Sequence, residues 1–68
     1  MKPGDLVVLD PKWNAVRALR EDGSAGPVIR NGDHALFVSG AGERNDDLIL
    51  FKGELLLISP NILVEAGR

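Results

Sequence analysis

Cysteine is absent, which removes both a disulfide framework and a thiolate metal cluster from consideration. A chain of 68 residues without such a staple commonly leans on an oligomeric partner, so self-association is an early expectation. An excess of positive charge is also missing. Eight Lys and Arg stand against ten Asp and Glu, for a formal net charge of -2 and a pI near 5.1. That is the wrong sign for a surface that attracts phosphate backbones as a whole, and it confines a nucleic-acid reading to a local patch. The third lack is a long apolar run. The opening MKPGDLVVLD meets an acid after four apolar residues, so it reads as neither a signal peptide nor a membrane span, and an intracellular setting is expected.

What is present suits one small globular domain over residues 1–68, too short for a second core or a cleft between two lobes. Leu, Ile, Val and Phe make up 22 of the 68 residues and charged residues 26%, which lies inside the globular range. Eight glycines and four prolines cut the chain into brief elements, and brief elements favour strands.

Residues 5–9 read as the first strand, between the turn signal Pro3-Gly4-Asp5 and the breaker pair Asp10-Pro11. Residues 10–23 favour a short helix. Asp10 is placed to cap it, Pro11 suits its first position, Ala15 to Arg20 suit its body and Gly23 its end. Val16, Ala18 and Arg20 also fit an extended strand. Glu21 to Pro27 is a loop by composition, and Val28-Ile29 a short apolar step before the turn Asn31-Gly32-Asp33. Strands follow over 34–39, 47–52 and 55–59, with Gly53-Glu54 as the tight turn of a hairpin, and a last strand over 62–65. The expected fold is all-β, a small barrel of about five short strands. Gly4-Asp5 and Gly32-Asp33 both lead into a strand, which is one turn chemistry used twice.

Catalytic and metal-binding constellations are weak. His34 follows Asp33, but neighbours on a strand point to opposite faces, so the acid is badly placed to orient the imidazole. Glu43, Asp46 and Asp47 share a polar loop that lacks the alternating acids of a calcium loop. Gly40-Ala41-Gly42 before Arg44 lacks the spacing and lysine of a phosphate loop. No enzyme activity, metal or cofactor is expected. The one basic cluster is Lys12, Arg17, Arg20 and Arg30, where a helix would bring Arg17 and Arg20 within one turn. Asp10, Glu21 and Asp22 interleave with it, which favours screened salt bridges on a solvated face. Trp13, Arg17, Arg20 and Arg30 are the candidate partner or anion contacts, with Trp13 equally suited to cover an open end of the barrel.

The segments KPGDLVVL and IRNGDHALFVSGAGERNDDLILFKGELLLI, with the closing Ile58-Ser59-Pro60-Asn61-Ile62-Leu63-Val64-Glu65, resemble the Src-homology-3-like barrel superfamily over about two-thirds of the chain. In that comparison the first is the opening strand, the second the central meander, and the last the one-turn helix and closing strand. The family's eukaryotic module grips proline-rich peptides between aromatic rings. This chain has no tyrosine, and Phe37 and Phe51 sit inside apolar strands, so that function does not carry over. The layout looks closer to short barrels of phage genomes, which implies a virion or accessory role in the cytoplasm of a host cell.

The most informative feature is a missing alternation. Leu48-Ile49-Leu50-Phe51 and Leu55-Leu56-Leu57-Ile58 are apolar on both faces, whereas one small barrel has a single inside. Leaving several such side chains in water forfeits several kcal/mol at roughly 25 cal/mol per Å². The outer face, bearing either Leu48 and Leu50 or Ile49 and Phe51, is therefore covered by residues 10–30 or by another subunit. The sequence favours the latter: a non-enzymatic interaction module that self-associates or docks on a larger protein assembly. The rival is a nucleic-acid or regulatory module using residues 12–30.

Overall fold

A computed structural model describes residues 1–40 and 46–66. It contains seven strands: β1 (Leu6–Leu9), β2 (Ala15–Arg20), β3 (Ala25–Arg30), β4 (Ala35–Ser39), β5 (Asp47–Phe51), β6 (Glu54–Ile58) and β7 (Leu63–Glu65). All pairings are antiparallel, in one sheet of order β3-β2-β6-β5-β4-β1-β7. β3 and β7 are its two edges, and the sheet is not closed.

The all-β expectation holds, with seven strands where five were expected, and residues 10–23 contain no helix. Val16 and Ala18 turn inward with a period of two, and Ala18 is fully buried. β2 pairs with β3 on one side and β6 on the other, and these two ladders outweigh the preference of a short helix that is marginal alone. Gly23, placed like a helix cap, instead closes the β2–β3 turn, its N–H donating to Arg20 O at 2.8 Å. β3 occupies much of the expected loop. Its first residues, Ala25-Gly26-Pro27, have loop composition but form part of an irregular edge strand. Leu19 pairs with Ala25 and Arg17 with Val28, so Ala18 faces two residues, Gly26 and Pro27, across a β-bulge.

The repeated Gly-Asp turn is visible in the hydrogen bonds. Asp5 N donates to Lys2 O at 3.0 Å while Lys2 N donates to Asp5 Oδ2 at 2.8 Å. Asp33 N donates to Arg30 O at 2.9 Å while Arg30 N donates to Asp33 Oδ2 at 3.0 Å. The β5–β6 hairpin turns on Lys52-Gly53, one residue earlier than the sequence reading. Both lie at positive φ, 50° and 81°, as a two-residue loop between right-twisted strands requires. Ser59 to Ile62 forms a turn with Asn61 at φ 69°, in place of the one-turn helix that the resemblance implies.

The core lies on one face of the sheet: Val7 and Leu9 from β1, Ile29 from β3, Ala35 and Phe37 from β4, Ile49 and Phe51 from β5, and Leu56 and Ile58 from β6, with Ala18, Ile62 and Leu63. No helix or second sheet among the described residues covers that face. Its burial therefore requires the sheet to curl over itself, consistent with a radius of gyration of 10.6 Å.

Candidate functional site

In an antiparallel sheet, residues directly opposite each other project on the same side, so the register fixes what the outer face carries. Leu6 pairs with Leu36, Leu36 with Leu50, and Leu50 with Leu55, giving one row of leucines across β1, β4, β5 and β6. Leu48 pairs with Leu57, and Leu57 with Leu19, giving a second row across β5, β6 and β2. At about 4.8 Å between strands, the first row runs about 14 Å across the sheet. Seven of the ten leucines project outward in these two rows, whereas all four isoleucines and both phenylalanines are buried.

The ambiguity between the two faces of β5 is thereby resolved: Ile49 and Phe51 enter the core with Leu56 and Ile58, while Leu48, Leu50, Leu55 and Leu57 face out. Leu6 is 47% exposed, Leu55 41%, Leu36 40%, Leu50 37% and Leu19 36%, while Leu48 and Leu57 are half-buried. Residues 15–30 do not fold over this face. They extend the sheet sideways as the β2–β3 hairpin and add Leu19 to the outer surface. Leu6, Leu19 and Leu36 belong to the face and escape inspection of the two apolar runs alone. The signal that could have found them is the pairing of strands, which a local pattern does not contain.

The basic cluster is dispersed and largely engaged. Arg17 donates from Nη1 to Gly26 O at 3.1 Å. Arg20 pairs through Nε with Glu54 Oε1 at 3.2 Å, and its Nη1 donates to Ala25 O. Arg17 and Arg20 lie on a strand rather than on one helical turn. Arg30 is exposed, and register with Ala15 places it on the outer side with Arg17, at the β2–β3 end. Trp13 is 38% exposed in the β1–β2 connection. Its N–H donates to Asp10 O at 2.9 Å and its carbonyl accepts from Asn31 Nδ2 at 3.0 Å.

His34 is exposed beside Asp33, whose carboxylate is taken by the Arg30 amide. Of the acidic loop, Glu43 lies outside the described residues, as do Ala41, Gly42 and Arg44. Asp47 opens β5 with the inward parity of Ile49 and is buried, and burial pushes its carboxyl above the ordinary carboxylate range, with the neighbouring Asp46 adding to the shift. Among the described residues no group of three acids, histidines or cysteines is placed to hold a metal ion. A shallow groove of about 740 Å³ runs beside β1 and β7, lined in part by Met1, Val8, Pro11, Asn31, Gly32 and Val64. No protein-family model, curated protein or solved structure matches this chain.

Proposed function

We propose that the chain is a non-enzymatic protein-interaction module that self-associates through its outer leucine face. The observation that carries this reading is the in-register alignment of Leu6, Leu36, Leu50 and Leu55 beside Leu48, Leu57 and Leu19. Single exposed leucines need no explanation, but a contiguous patch of them is typical of a surface that is covered in the working state. These two rows carry no charged side chain, as the centres of protein interfaces prefer. The finer reading of the fold, an SH3-like barrel of the compact phage type acting within a host cell or its virion, belongs to the same proposal. It is supported by the Gly-Asp turns before β1 and β4.

Size exclusion with light scattering tests the proposal. The wild-type chain at micromolar concentration is expected to run above its 7.3 kDa monomer mass. The L36K/L55K variant, with one lysine on each of two non-adjacent strands, is expected to run as a monomer with an unchanged circular dichroism spectrum. A monomeric wild type across that range would overturn self-association. The nucleic-acid alternative is less favoured, because Arg17 and Arg20 already spend guanidinium donors on β3 carbonyls and Glu54. Tight binding to DNA or RNA that weakens steeply with added salt would revive it.

A further inference from the structure

We infer that Arg17, Arg20 and Asp33 together seal the β3 edge against strand addition, so that the chain meets partners with its face and not with this edge. An exposed edge strand offers a row of unpaired N–H and C=O groups to any passing strand, and β3, at six residues, is the longer of the two edges. The hydrogen-bonding phase shows which groups it would offer. Arg20 N donates to Ser24 O and Asn31 N donates to Asn14 O, so the intervening pairs Leu19–Ala25 and Ala15–Arg30 turn the backbone groups of Ala25 and Arg30 away from β2.

Three of those four groups are occupied. The Ala25 carbonyl accepts from Arg20 Nη1. The Gly26 carbonyl, in the bulge, accepts from Arg17 Nη1 at 3.1 Å. At Arg30 both groups are used by one residue: the amide donates to Asp33 Oδ2 at 3.0 Å and the carbonyl accepts from Asp33 N at 2.9 Å. Only the Ala25 amide and the amide and carbonyl of Val28, opposite Arg17 in the same phase, are left facing the edge, too few for a ladder. Edges are commonly protected by charge or a bulge, and β3 combines the two. The two arginines therefore act through their reach as well as their charge, because a guanidinium has donors enough to hold a carbonyl and a carboxylate at once.

The test is made in the L36K/L55K background, so that association through the leucine face does not mask association through the edge. Adding R17A and R20A exposes the carbonyls of Ala25 and Gly26. The expected result is a doubling of mass by light scattering as two β3 edges pair, with exchange of the Val28 amide slowed on the order of tenfold or more. E54Q in the same background removes the ion pair but leaves the carbonyl caps, and is expected to change neither readout. If R17A/R20A fails to fold in that background, R20A alone is expected to show the same association at higher concentration. A folded edge variant with unchanged mass and unprotected Val28 would overturn the inference, as would prior pairing through β3 in the L36K/L55K parent. The first result leaves the leucine-face reading standing, since that reading is decided by comparing the wild type with L36K/L55K; the second is told apart from failure of that reading by slowed exchange of the Val28 amide in the parent.

Discussion

Asp47 is the buried acid of the molecule's inner side, and the fold binds its proton more tightly than the unfolded chain does. A carboxyl whose folded pKa is raised contributes stability that is complete below the unfolded value and is lost as pH rises through the folded value. Asp47→Asn, which keeps the shape without the charge, is therefore expected to raise the thermal midpoint at neutral pH. The gain should vanish near pH 3, where the native acid is itself protonated. Melting curves of both proteins across that range measure it, and an equal gain at every pH would point away from the charge. Gly26 is constrained by space instead. A Cβ there would lie 2.9 Å from Ala18 O and 3.2 Å from Leu56 Cδ2, with the backbone oxygen unable to yield cheaply. Gly26→Ala is expected to cost about 1–3 kcal/mol in urea unfolding, the usual range for overpacking.

Among the elements, β5 shows how one strand serves two surfaces. Ile49 is fully buried, with Phe37 and Leu56 as its cross-strand neighbours, whereas the next residue, Leu50, lies between Leu36 and Leu55 on the outside. Ile49→Ala is expected to cost about 2–5 kcal/mol. That compares with a total stability on the order of 3–10 kcal/mol for a domain of this length. Leu50→Ala, measured on the monomeric L36K/L55K protein, should cost only the roughly 0.2–1 kcal/mol of a cross-strand pair. Chemical denaturation of the two variants separates them, and similar costs would contradict the facing. The β2–β3 hairpin carries a different lesson. Its bulge, its proline and its small residues make a strand with a weak local pattern, held in place by pairing to β6.

At the scale of the whole molecule, the aromatic residues decide one function by position. A proline-rich ligand needs exposed rings with grooves between them. Phe37 and Phe51 are 7% and 3% exposed, and Trp13 alone reaches the surface. Titration with a Pro-x-x-Pro peptide library is expected to show no saturable binding at micromolar concentrations, and such binding would require an aromatic groove elsewhere. The same division of residues shapes association. A face rich in leucine and an edge closed by arginine leave the outer surface of β1, β4, β5, β6 and β2 as the favoured contact. Like charges are sparse there, which suits the proposed contact between two copies.

The sequence alone determined that the chain is all-β, where its Gly-Asp turns fall, and that the runs around Leu50 and Leu56 carry more apolar surface than one interior accepts. Those facts are local: a turn needs a few residues, and a missing alternation is visible within four. Tertiary structure alone decided that residues 15–20 extend rather than coil, because β6 and β3 supply ladders that no helix propensity contains. It also decided which half of each run faces out and which distant leucines join it, since both depend on register between residues far apart in the chain, 30 positions for Leu6 with Leu36 and 38 for Leu19 with Leu57. Arg17 and Arg20 show the same limit at one residue each. Their charge was legible, but the carbonyls they hold came within reach only when β3 folded back beside β2.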